Sequence, residues 1–147
     1  MVDTFAFDQE SIVYGCIKDY ADDSGSGLRH EANREAILTL PLSDAWPYLS
    51  QDMFSMPQES HMDDTTYMTQ ILHFGASYKA VEYEWNEWMS KFEALLSKMY
   101  WASAVVHLET ELTGTHTFVW TSSKGGHVPG NDSSDIRCEW LLEKDFA

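Results

Sequence analysis

The chain has 147 residues, of which 24 are acidic and nine basic, so its formal net charge of −15 argues against direct binding to nucleic acid or an anionic membrane and for a basic partner. Its 44% apolar and 14% aromatic content excludes a disordered chain, and its length suits one domain that buries about two thirds of its unfolded surface. The charge is uneven, with 13 acidic against three basic residues in the stretch 1–65 and 11 against six in 66–147.

The first ten residues place acids where a secretory signal would need a basic and then an apolar run, and no stretch approaches transmembrane length, so a reducing cytoplasm is expected. Cys16 and Cys138 fall in no metal or redox spacing and read as buried free thiols. Residues 11–18 form a nearly continuous apolar, β-branched and aromatic run, the pattern of an interior strand, with Gly15 marking a bulge or a close backbone approach. A turn-rich loop containing Asp22 and Asp23 follows. Leu28 to Leu38 reads as a helix with an apolar side of Leu28, Ala32, Ala36 and Leu38, ended by Pro41.

Leu42 to His61 follows no sustained period and is broken by Pro47 and Pro57, so it is expected to be irregular with at most one short strand. Trp46 and Tyr48 flank Pro47 there, and a second acidic pair, Asp63 and Asp64, follows in a loop. Residues 66–74 alternate in the manner of a strand. A helix over 78–99 then places Val81, Trp85, Trp88, Met89, Phe92, Leu95, Leu96 and Met99 within an arc of roughly 120°. Ser77 is its candidate N-cap, Tyr83 falls on its polar side, and Trp85 and Phe92 are expected to be buried.

After Trp101 the period changes from 3.6 to 2. Strands over 103–112 and 116–121 read as a hairpin, and a loop of Thr113 and Gly114 sets Leu108 opposite Val119. A three-residue loop would break that register. In the two-residue register His107, Glu109, Glu111, His116, Phe118 and Trp120 share one face, with carboxylates and histidines that could serve a metal or an acid/base pair. The spacing matches no ligand pattern, so neither metal nor cofactor is expected. A Gly/Ser/Asn/Asp loop over 122–135 leads to a last strand or short helix. His30, His61 and His127 read as surface residues. No nucleophile elbow or phosphate loop occurs.

The expected fold is a single α+β domain, residues 1–147, with a mainly antiparallel sheet, one long amphipathic helix and one shorter helix. In size, acidity and a long helix followed by a hairpin, the chain resembles the bacterial immunity proteins that neutralise polymorphic or contact-dependent toxins. The resemblance implies a non-catalytic, monomeric protein that binds a basic toxin domain, in many cases a nuclease. From the residues themselves, the acidic loops at Asp22, Asp23, Asp63 and Asp64 are expected to steer the partner, with Trp46, Tyr48 and Tyr83 as aromatic anchors. Two other readings stay open: a nucleic-acid mimic that blocks a DNA-binding protein, and an enzyme using the His107, Glu109, Glu111 and His116 face.

Overall fold

The structure, a computed structural model, describes residues 9–20, 28–55, 70–122, 126–130 and 137–141. In chain order these form β1 (Glu10–Asp19), α1 (Leu28–Leu38), a 3-10 turn (Gln51–Met53), β2 (Phe54–Ser55), β3 (Gln70–Lys79), a second 3-10 turn (Val81–Glu84), α2 (Trp85–Leu96), β4 (Ser103–Thr110), β5 (Gly114–Thr121) and β6 (Arg137–Leu141). The strands make one six-stranded sheet in the order β2-β3-β1-β4-β5-β6, and every pairing is antiparallel. This is the α+β architecture the sequence patterns imply. Among the described residues no helix is long and apolar enough to cross a membrane.

β1 is the interior strand its composition calls for, paired on both sides by β3 and β4. Its burial alternates. Ser11, Val13, Ile17 and Asp19 face the helices, whereas Ile12, Tyr14 and Lys18 lie on the open side. Gly15 records a close approach rather than a bulge, because a Cβ there would stand 1.9 Å from the Val105 carbonyl oxygen. Neither cysteine is the buried thiol expected: Cys16 is half-buried on the open side of β1 and Cys138 is exposed on β6.

The boundary between β3 and the long helix differs from the sequence reading. β3 stays in register with β1 from Asp19↔Gln70 to Glu10↔Lys79, so the sheet claims residues through Lys79 and Ser77 lies within the strand rather than at a helix cap. Ala80, at φ 54°, turns the chain, and its N–H donates to the Gln9 carbonyl at 2.8 Å. The Val81 amide is then received by the buried Ser11 hydroxyl at 3.1 Å. A strand hydroxyl thus supplies part of the capping that Ser77 was expected to give.

The apolar stripe is buried as its spacing requires. Val81, Trp88, Phe92, Leu95, Leu96 and Met99 lie in the core with Val13, Ile17, Val106 and Trp120. Trp85 is only partly buried and packs against the core margin with Met89. α1 has the expected bounds but buries a different side, with His30, Asn33, Ala36 and Ile37 inside and Leu28 and Leu38 exposed. Polar anchoring decides its rotation. Asn33 exchanges two hydrogen bonds with the Tyr100 backbone, and Arg29 makes a bidentate pair with the buried Asp19 while lying over the Tyr100 ring.

The β4–β5 hairpin turns through Glu111, Leu112 and Thr113, with Thr110 paired to Gly114 and Leu108 to His116. Gly114 supplies the positive φ of 82° that such a loop needs, and the Thr113 amide donates to the Thr110 hydroxyl at 2.9 Å. The three-residue loop moves β5 and reverses its faces relative to the two-residue register. His116, Phe118 and Trp120 therefore join Leu108 and Val106 on the helix side, and His107 and Glu109 remain on the open side.

Candidate binding surface around Trp46 and Tyr48

The segment after α1 has little regular structure, yet polar contacts fix it in place. Gln51 bonds the Pro41 carbonyl through its backbone N–H and the Leu38 and Leu40 carbonyls through its side-chain amide. Asp44 accepts the Leu49 amide at 3.0 Å and Lys91 of α2 at 2.8 Å, and Lys91 also reaches the Ala45 carbonyl. The small burial of Asp44 works to raise its pKa, but the Lys91 bond and charge and two backbone amides outweigh it, leaving the carboxyl below its ordinary value. These contacts tie the segment to the polar side of the long helix.

The Trp46–Pro47 peptide is cis. Trp46 is 44% exposed and stands edge-on to Tyr48 and Tyr78, with centroids 5.9 and 5.8 Å away. Tyr48 stacks on Tyr78 at 4.5 Å and 21°, and its hydroxyl donates to the Ser77 carbonyl. Tyr78 is buried and donates from its hydroxyl to the Tyr48 carbonyl at 2.8 Å. The three rings form a ledge whose inner member belongs to the sheet and whose outer member reaches water, the arrangement of a rigid aromatic anchor.

Tyr48 lines two hollows. One, of about 560 Å³, is lined by Glu10, Trp46, Tyr48, Ser77, Tyr78 and Lys79. The other, of about 340 Å³, includes Asp44, Tyr48, Ser50, Asp52 and Met53. Acids border both. Glu10 accepts the Ser77 hydroxyl and Asp52 accepts the Ser50 hydroxyl at 2.6 Å. Burial and then the Asp52 charge push the Tyr48 phenol above its ordinary pKa, so the ring stays neutral beside the carboxylates, with its proton committed to the Ser77 carbonyl.

Of the partner-contact residues expected from sequence, the structure brings Trp46 and Tyr48 into edge contact and leaves Tyr83 55% exposed on the 3-10 turn before α2. Asp22, Asp23, Asp63 and Asp64 lie outside the described residues. Sequence reasoning missed Tyr78, Glu10 and Asp52, which brace or border the ledge. Tyr78 was assigned to the helix, and only its place at the end of β3 gives it this role.

The hairpin constellation is broken up by the register. His107 stacks against Tyr14 at 4.9 Å and contacts the Thr117 hydroxyl at 2.9 Å, and Glu109 accepts the Tyr14 hydroxyl at 2.7 Å, all on the open face. Glu111 lies in the turn, and His116 is on the helix face, where it contacts Thr113. Two histidines read as surface residues are buried: His30 at 5% and His127 at 1% exposure. His127 stacks on Trp101, contacts the Met99 carbonyl at 2.9 Å and exchanges backbone bonds with Trp101. His61 lies outside the described residues. Among the described residues, no group of three or more His, Cys, Asp or Glu side chains is arranged to hold a metal.

Compared with protein-family models, curated proteins and solved structures, the chain matches none.

Proposed function

We propose that the protein is a non-catalytic acidic binding protein that captures and neutralises a basic toxin domain, with the Trp46–Tyr48 ledge at the centre of the contact. The observation that carries this reading is the exposed Trp46 ring held by Tyr48 and Tyr78 beside hollows bordered by Glu10 and Asp52. Aromatic anchors fixed by packing lose little side-chain freedom on binding, and surrounding carboxylates favour a cationic partner. The net charge of −15 adds long-range attraction toward a basic nuclease-like domain. Such a partner would be met in the cytoplasm of the cell that makes both proteins.

The test is co-expression with each candidate toxin domain encoded beside this protein, scored by rescue of growth and by co-purification. Rescue by the wild type and its loss in Trp46→Ala at equal soluble level support the reading. Failure of the wild type to rescue growth or form a complex with any neighbouring toxin candidate removes it.

A further inference from the structure

The outer edge of β3 is only partly covered. β2 pairs with it at His73 and Phe74 alone, and among the described residues no strand continues beside β3 from Gly75 to Lys79. The other edge of that stretch is paired throughout with β1.

Two contacts fix which main-chain groups face the open side. Ala80 sends its N–H inward to the Gln9 carbonyl at 2.8 Å, so the Lys79 carbonyl, on the opposite side of the same peptide plane, points outward. The Ser77 carbonyl, two residues earlier, meets the Tyr48 hydroxyl of the ledge. In a strand the N–H and C=O of one residue point to the same side and neighbouring residues alternate. Ser77 and Lys79 therefore present their main-chain groups outward, while Ala76 and Tyr78 bond to β1. Among the described residues these outward groups have one partner, the Tyr48 hydroxyl, which leaves the Ser77 N–H and both groups of Lys79 open. Both residues are exposed, and both line the hollow of about 560 Å³ with Glu10, Trp46 and Tyr48. A row of open main-chain donors and acceptors is the chemistry that recognises another extended main chain.

Charge decides which chain that is. Two copies of this protein would each bring a net charge of −15 and a Lys79 to the same edge, and both features oppose self-pairing. Toward a different chain the surroundings are anionic: Glu10 stands beside Lys79 in the register, and Asp52 borders the neighbouring hollow. Two carboxylates against one ammonium favour a basic segment. We propose that the β3 edge at Ser77 and Lys79 receives an extended, basic peptide segment of the partner, main chain to main chain, with Trp46 packed on one of its side chains. This grip deepens the toxin-binding reading by naming how the partner is held, and it rests on that reading for the partner's identity.

The experiment follows the backbone amide signals of the nitrogen-labelled full chain by NMR. In dilute protein without peptide, the Ser77 and Lys79 amides should exchange with water about tenfold or more faster than those of Ala76 and Tyr78. Three probes are then titrated separately to about 2 mM, where a complex of millimolar dissociation constant is more than half formed: a short capped peptide of alternating lysine and valine, the same peptide N-methylated at every peptide nitrogen, and its glutamate and valine counterpart. The expected result is a saturable downfield shift of the Ser77 and Lys79 amides with the basic peptide. Trp46→Ala should weaken it about threefold or more, with unchanged signals from Trp88 and Trp101 showing that the variant is folded. The N-methylated and acidic peptides should bind about tenfold more weakly or not at all. The proposal is overturned if the basic peptide leaves both amides unmoved, if the N-methylated or acidic peptide binds as tightly, or if Ser77 and Lys79 are already as protected as Tyr78 in dilute protein. Protection that grows with protein concentration would assign the edge to a second copy and overturn it too. A toxin domain that is bound and neutralised while the basic peptide fails removes the edge and keeps the partner; a basic peptide that binds where no toxin candidate does removes the toxin and keeps the edge.

Discussion

The indole N–H of Trp88 donates to the buried hydroxyl of Tyr78 at 2.9 Å. That hydroxyl donates in turn to the Tyr48 carbonyl at 2.8 Å, so one phenol joins the long helix, the end of β3 and the aromatic ledge. Tyr78→Phe removes both bonds and leaves an indole donor unpaired in the core. It should cost about 1 to 3 kcal/mol in denaturant unfolding. Full retention of stability would show that the junction contributes nothing net.

The same phenol makes stability fall at high pH. Burial holds the Tyr78 pKa well above its ordinary value, reinforced by the charges of Tyr48 and Asp44 and only partly opposed by the Trp88 bond. Above about pH 10 the unfolded chain releases this proton while the folded chain keeps it. The unfolded state then binds fewer protons, and the unfolding free energy decreases as pH rises. The contribution is complete below the unfolded pKa and is lost as pH climbs toward the folded one. Unfolding midpoints measured from pH 8 to about 11 should decline less steeply in Tyr78→Phe than in the wild type.

Two glycines should respond very differently to alanine. Gly15→Ala drives a methyl into the Val105 carbonyl between two central strands and should cost about 3 kcal/mol or more. Gly114→Ala meets no atom within 4 Å and bears only the strain of its positive φ, about 1 kcal/mol. Equal losses in thermal melts of the two variants would contradict both the central pairing and the hairpin geometry.

Phe92 is fully buried and touches Phe74, Trp88 and Trp120. Phe92→Ala should destabilise the protein by about 3 to 5 kcal/mol, measured by chemical unfolding. A melt that does not move would be incompatible with this core.

Much of the fold was legible because hydrophobic period and burial are linked directly. The run around Val13 and Ile17 calls for an interior strand paired along both edges, and the spacing from Val81 to Met99 needs a sheet beneath it. The places where the pattern failed were decided by partners far along the chain. Ser77 has a capping residue's chemistry, but pairing with Ile12 keeps it in β3. His116 changed faces because the loop holds three residues instead of two, a choice the strand alternation alone does not reveal. Leu28 and Leu38 suggested one side of α1, whereas Asn33 and Arg29 bind another to Tyr100 and Asp19. Trp46 and Tyr48 stood out as aromatics without a core period, but their brace, Tyr78, depends on where β3 ends.

If the acidic pairs steer a basic partner, replacing Asp22, Asp23, Asp63 and Asp64 by asparagine should slow association and flatten its dependence on salt, with little change in dissociation. An association rate independent of ionic strength in the wild type would remove steering even where binding is tight.

The most direct test of the central claim is the dissociation rate of the Trp46→Ala variant from the toxin domain we propose as its partner, measured by surface plasmon resonance on protein with an unchanged melting temperature. Binding centred on the ledge predicts much faster dissociation, a loss of about 2 kcal/mol or more, with association nearly unchanged. A dissociation rate equal to that of the wild type would place the interface elsewhere on the molecule.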